Sequence, residues 1–186
     1  MMKLMIINGS VREGRKSDTV QNWALPILQN DPSLELDIVD LKEVDLPFFN
    51  EAITPDAAKG QFINPKGTAW AKRVSDADAF IFITAEYNHG PTAVLKNALD
   101  WVYDGWANKP VGFISYGGLA GGTRAVQQLK QNVLDVKLYP ALANVHIPGI
   151  WSAFDENGKP NQPDLDERLT KLVAELKDLQ NRLKSS

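Results

Sequence analysis

The chain contains no cysteine, which excludes disulfides, thiolate catalysis, iron–sulfur clusters and cysteine-bound zinc. Histidine is almost as scarce. His89 and His146 are the only two, too few for a histidine-built metal centre. A strong charge of one sign is also lacking: the formal net charge is −3, and there is no basic block of the kind that marks a duplex nucleic-acid binder. Apolar runs stop at about strand length, far below the ~20 residues that a membrane-crossing helix needs. The first residues, Met1 to Ile7, enter a strand pattern directly and lack the features of a signal peptide. One domain over residues 1–186 and a cytoplasmic location are expected. The 44 % hydrophobic content is ample for a core in a chain of this length.

Short runs rich in Ile, Val and Phe read as strands: Leu4–Ile7, Leu36–Val39, Ala79–Thr84 and Val111–Ser115, with a fifth within Leu138–Ile147. They are apolar on successive residues, as in a parallel sheet covered on both faces. Between them lie helical stripes. Val20, Trp23, Ala24, Ile27 and Leu28 form one, with Pro26 inside it to bend or shorten the helix. Trp70, Ala71 and Val74 suggest a shorter one. Val94 to Val102, then Ala125 to Val133, then Leu165 to Leu183 form the rest. Asp164 and Glu167 have the spacing of a capping box. The loop from Leu46 to Thr68, with Pro47, Pro55 and Pro65, is long enough to be a lid or simply a surface loop. Five strands alternating with five helices define a doubly wound α/β fold, whose ligands bind at the carboxyl ends of the strands.

Three loops follow those ends. Asn8 to Thr19 is rich in small, hydroxyl and basic residues and runs into a helix. Ser10, Ser17 and Thr19 supply hydroxyls, Arg12, Arg15 and Lys16 supply charge, and the helix start adds free N–H groups. The set suits a phosphate monoester. It matches neither the nucleoside-triphosphate loop nor the dinucleotide fingerprint. Glu86-Tyr87-Asn88-His89-Gly90-Pro91 follows the third strand and presents main-chain donors and acceptors to a flat heterocycle. His89 is a candidate general acid there, or a plain hydrogen-bonding residue of a turn. Ser115-Tyr116-Gly117-Gly118 and the glycines beyond let main chain approach a planar ligand closely.

Together these segments resemble the NAD(P)H-dependent FMN reductase family, which includes quinone, azo and chromate reductases. The run from Glu86 to Trp101 is the most specific part, and the likeness covers about Lys3 to Ile147. The resemblance implies a flavodoxin-like five-stranded sheet in the order 2-1-3-4-5 with helices on both faces. It also implies non-covalent FMN and NAD(P)H as co-substrate. Ser10, Arg12, Arg15, Ser17, Asp18 and Thr19 would then surround the phosphate. Glu86, Tyr87, Asn88 and His89 would lie against the ring system, largely through main chain, with Ser115, Gly117 and Gly118 on its other side. The family is also dimeric or tetrameric, which would place the helix Thr92–Val102 at a subunit contact. Lys96, Asn97, Asp100 and Trp101 would then face outward, and Trp101, Tyr103 and Trp106 would form an aromatic patch.

The implied reaction passes hydride from NAD(P)H to flavin and then electrons to a small-molecule acceptor, in ping-pong order. Two other readings stay open: a flavodoxin-type electron carrier, and a flavin-dependent regulatory or interaction protein. Arg12 and Arg15, with the modest net charge, weigh against the carrier.

Overall fold

The computed structural model describes residues 1–185. Its strands are β1 (Met2–Asn8), β2 (Leu34–Asp40), β3 (Ala79–Ala85), β4 (Pro110–Tyr116), β5 (Tyr139–Pro140) and β6 (Val145–Ile147). The main helices are α1 (Ser17–Gln29), α2 (Leu41–Val44), α3 (Pro55–Ala58), α4 (Pro65–Ser75), α5 (Ala93–Asp100), α6 (Thr123–Asp135) and α7 (Leu165–Lys184). The sheet is parallel in the order β2-β1-β3-β4-β5, and β6 also pairs with β4. This is the expected flavodoxin-like arrangement. The fifth strand is split into β5 and β6, and Glu175 of α7 accepts hydrogen bonds from the Leu142 and Ala143 N–H groups between them, both at 2.7 Å.

Alternation along each strand sends neighbouring side chains to opposite faces. Leu4, Ile6, Ile81, Ile83 and Ile114 meet α1 and α7 on one face. Met5, Ile7, Phe80, Phe82 and Phe113 meet α4, α5 and α6 on the other. Every residue of β3 and β4 is buried, as a doubly covered strand requires. β2 departs from that expectation. It is an edge strand, and Ile38 on it is 39 % exposed.

Pro26 does not break α1. It lies in the last turn, and the helix ends at Gln29. Asp164 stands at the N-cap of α7, but the capping box does not form. The Asp164 carboxylate takes Arg168 at 2.8 Å and Glu167 takes Lys171 at 2.6 Å, so both side chains reach one turn forward.

The long loop contains α3 and leads into α4, and it corrects the reading of α5. Asn97 and Trp101 face inward, and Trp101 is fully buried. The Trp101 indole donates to the Pro47 carbonyl at 2.8 Å and stacks edge-on with Phe49 and Phe62. Asn97 donates to the same carbonyl at 2.9 Å and accepts from the Phe49 N–H at 2.9 Å. The polar group is buried because the loop backbone satisfies it. Trp106 is also buried, against Trp70 and Phe80. Two of the three aromatics of the expected surface patch, Trp101 and Trp106, are core, Trp101 holds down the loop, and Tyr103 is half-buried. Lys96 and Asp100 do reach the helix surface, where they pair with each other at 2.7 Å.

Candidate cofactor site at the carboxyl edge of the sheet

β1 ends at a tight approach to β3. Gly9 donates to the Ile83 carbonyl at 2.9 Å, and a Cβ on Gly9 would sit 2.8 Å from that oxygen. Only glycine lets the loop leave the sheet there. Thr92, just before α5, donates its hydroxyl to the Gly9 carbonyl and ties the first and second loops together. The Ser10 and Tyr87 hydroxyls share a second tie at 3.0 Å.

Arg15 organises the rest of the first loop. Its guanidinium donates to the Ser10 carbonyl at 2.5 Å and binds Asp40, at the end of β2, through both nitrogens at 2.8 and 2.5 Å. Asp18 adds a third anionic contact at 2.8 Å. The Asp40 hydrogen bond holds the guanidinium well above its ordinary range, and Arg15 in turn holds the Asp40 carboxyl below the usual carboxylate range. Arg15 is thus enclosed by protein carboxylates. Asp18 is likewise engaged, accepting from Asn8 at 3.0 Å.

Arg12 and Lys16 differ: both are exposed and have no ion-pair partner among the described residues. They flank the start of α1, which no side chain caps. An uncapped helix N-terminus beside two free cations is an anion site in electrostatic terms. Beneath it the Ser17 and Tyr116 hydroxyls are buried beside each other without a well-formed hydrogen bond. Burial also raises the Tyr116 phenol above its usual range.

The second loop is a tight turn. Tyr87 and Gly90 exchange two main-chain hydrogen bonds at 2.9 Å, with Asn88 and His89 between them at φ of 49° and 66°. Non-glycine residues adopt such angles rarely and at some cost in strain. The Glu86 carboxylate turns away from the loop. It is only 8 % exposed, binds Arg124 at 2.6 Å and accepts from the Arg124 N–H at the start of α6, so it caps that helix.

The third loop folds on Ser115. That hydroxyl donates to the Gly121 carbonyl at 2.8 Å, which leaves it to accept from His146 Nδ1 at 2.7 Å. Burial lowers the His146 pKa and favours the neutral ring. A Cβ on Gly122, whose φ is +88°, would lie 2.6 Å from Ser115 Cβ. Main-chain bonds from Gly149 to the Gly118 carbonyl and from Ile150 to the Gly117 carbonyl dock the segment after β6 on this loop.

The three loops enclose a cleft of about 560 Å³, within the range of small-molecule and cofactor sites. Arg12 and Arg15 line one end. Glu86, Tyr87 and Asn88 form one wall, and Gly117 and Gly118 the other. Ser10, Ser17, Asp18 and Thr19 lie outside the lining, at the start of α1 and the turn before it. His89, in the turn, and Ser115, near the end of β4, also fall outside it. Lys16, Tyr116, Ile150 and Trp151 do line the cleft. Lys16 and Tyr116 stand within the segments that the sequence singles out. Ile150 and Trp151 follow β6, and no motif there marks them.

A doubly wound parallel sheet in the order β2-β1-β3-β4-β5, with a cleft at the carboxyl ends of its strands, defines the flavodoxin-like class. The chain belongs to the NADPH-dependent FMN reductase family, whose profile matches residues 2–152. It is 34 % identical over 196 residues to an NAD(P)H-dependent FMN reductase of Nectria sp, covering 96 % of this chain and 97 % of that one. It is 29 % identical over 195 residues to an NAD(P)H:quinone oxidoreductase of Solanum tuberosum, covering 99 % and 95 %. In structure it is similar to FerB, a flavoenzyme NAD(P)H:(acceptor) oxidoreductase of Paracoccus denitrificans. The TM-score is 0.75 at 21 % identity, with 98 % of each chain covered.

Proposed function

We propose that the chain, as one domain, holds FMN non-covalently in this cleft and passes reducing equivalents from NAD(P)H to a flavin, quinone, azo compound or similar small acceptor. One observation carries the reading. The uncapped start of α1, with Arg12 and Lys16 unpaired beside it, opens into the same cleft that the Tyr87 and Gly117 loops wall. The residues fit the cofactor. The buried Ser17 and Tyr116 hydroxyls, without a well-formed hydrogen bond below the loop, are of the kind that bind phosphate oxygens.

FMN, when bound, supplies a centre that accepts hydride from a nicotinamide and delivers electrons to an acceptor. The protein binds and orients it. Arg12, Lys16, Ser17 and the α1 N–H groups take the phosphate, with Ser10, Asp18 and Thr19 in the turn that shapes the loop. Arg15 holds that loop in place from beneath. The main chain of Glu86 to Asn88 and of Gly117 to Gly118 faces the ring. Tyr87 is 40 % exposed, so the cleft stays open to one ligand after another, which suits ping-pong order. His89 stands outside the lining, so protons for the acceptor come from solvent at the open side.

The test is an absorbance spectrum of the purified, FMN-loaded protein followed by anaerobic NADPH or NADH. Flavin bands that bleach promptly support the reading. Bands that persist with both nucleotides support an electron carrier, and failure to bind added FMN defeats the reading of all three loops. The chain is also proposed to form a homodimer or homotetramer, a reading that the exposed Phe48, Ile53 and Leu134 side chains support. Light scattering should then give a mass two or four times that of one chain.

A further inference from the structure

Trp151 is 75 % exposed, yet it is a large aromatic beside the cofactor cleft. Its ring lies over the third loop, where a Cβ on Gly118 would meet it at 3.7 Å. The backbone beneath it is held firmly. Gly149 and Ile150 bond to the glycine loop, and the Asn161 side chain donates to the Ser152 carbonyl at 2.9 Å. A fixed backbone presenting a bare indole to solvent is a stacking platform.

On the other side of that indole runs a second groove of about 410 Å³. Lys16, Ile150 and Trp151 line both it and the cleft, so the two are adjacent. Its floor is Trp23 and Phe154, whose rings are 6.0 Å apart. Lys16 stands at the junction with its ammonium unpaired. Asn22, Asp155 and Glu156 form a polar rim.

We propose that this groove takes the adenosine end of the nicotinamide dinucleotide, with Trp151 as the platform on which the adenine stacks. The inference rests on the cleft being the FMN site. The nicotinamide meets the cofactor at the cleft mouth, so the rest of the dinucleotide extends along a neighbouring surface, and the groove that shares Trp151 with the cleft offers an aromatic face and a polar rim. The pyrophosphate passes along the edge that cleft and groove share at Ile150 and Trp151. The rim carboxylates accept from ribose hydroxyls, as an acidic side chain does in other dinucleotide sites, and the Asn22 amide both donates and accepts. Trp151 is therefore a substrate-specificity residue that makes no contact with the reacting atoms.

The experiment uses FMN-loaded protein and ADP-ribose, which has the adenosine and pyrophosphate but no nicotinamide. Calorimetry should show ADP-ribose binding to the wild type in competition with NADH. Trp151→Ala should weaken ADP-ribose and raise the KM for NADH by about tenfold, the scale of one base–aromatic stack. Trp151→Phe should restore most of both. The flavin spectrum of each variant shows that the cofactor site is intact. No ADP-ribose binding to the loaded wild type, or equal affinity in Trp151→Ala, overturns the proposal. Failure of the wild type to bind FMN overturns the cofactor reading instead, and the proposal with it.

Discussion

The first and third loops face each other across one cleft but are held by opposite means. Charge holds the first. Arg15 draws Asp40, Asp18 and the Ser10 carbonyl onto one guanidinium, with only 11 % of its side chain exposed. Volume holds the third. Gly122 sits against Ser115 where no side chain fits, and the Ser115–His146 hydrogen bond locks the turn from behind. Charge can frame a loop where the frame neutralises it, and close packing can frame one where side chains are absent. The comparison implies that the first loop responds to pH and charge substitution, and the third to size.

The largest effect should come from Gly122→Ala. It adds a methyl group at a φ of +88°, within 2.6 Å of Ser115 Cβ. Strain and overpacking together should cost roughly 2–5 kcal/mol, read as a lower urea midpoint. Little change in the midpoint would show that the third loop is not sterically set.

Next comes Arg15→Met, which leaves Asp40 without its cation and should cost about 2–4 kcal/mol, because breaking a largely buried pair strands a charge. FMN affinity should fall as well. Asp40→Asn separates two roles for Arg15. If Arg15 shapes the loop, Asp40→Asn also weakens FMN in a titration. If Arg15 bound phosphate directly, freeing it from Asp40 would leave affinity equal or higher.

The pH dependence sharpens the same contrast. Asp40 titrates below its unfolded value, so its contribution is complete above about pH 4 and is lost as pH falls below that toward the lowered folded value. Denaturant titrations should show acid destabilisation that Asp40→Asn flattens. His146 is also lowered, by burial. Its neutral form supports the third loop in full above about pH 6.5, and that support is lost as the ring protonates at lower pH. The His146 step should vanish in His146→Gln, while the Asp40 step remains.

The smallest effect belongs to His89→Ala. The His89 contact to Gln128 is made by its carbonyl, which the substitution keeps, and the ring stands outside the cleft lining. FMN affinity should be unchanged and kcat should move by less than about threefold. A loss of several orders of magnitude would establish His89 as the proton donor, since general acid catalysis contributes about 10²–10⁴-fold.

Much of this was legible in the residues. Successive apolar positions in Phe80–Ile83 and Val111–Ile114 announce doubly covered strands, because no other environment removes both faces from water. The three site loops follow from the rule that ligands meet the carboxyl ends of such strands. Helical spacing, in contrast, misplaced Trp101 and Asn97. It reports one stripe of a helix, whereas α5 is covered on a second side by a loop distant in the chain. Arg15 was legible as a cation in a phosphate loop, but not as one already matched by Asp40, 25 residues away. Trp151 was invisible for a similar reason. Its role comes from the docking of the segment after β6 against Gly117 and Gly118.

By itself, then, the sequence determined the strand set, the parallel α/β class, the three loops and the lack of thiols and of a cysteine- or histidine-built metal centre in these residues. These follow from local periodicity and composition, which are properties of neighbouring residues. The tertiary structure alone decided which cations stay free, which hydroxyls lie orphaned and which aromatics face water. Each of those depends on a partner brought close only when the sheet closes and its helices pack.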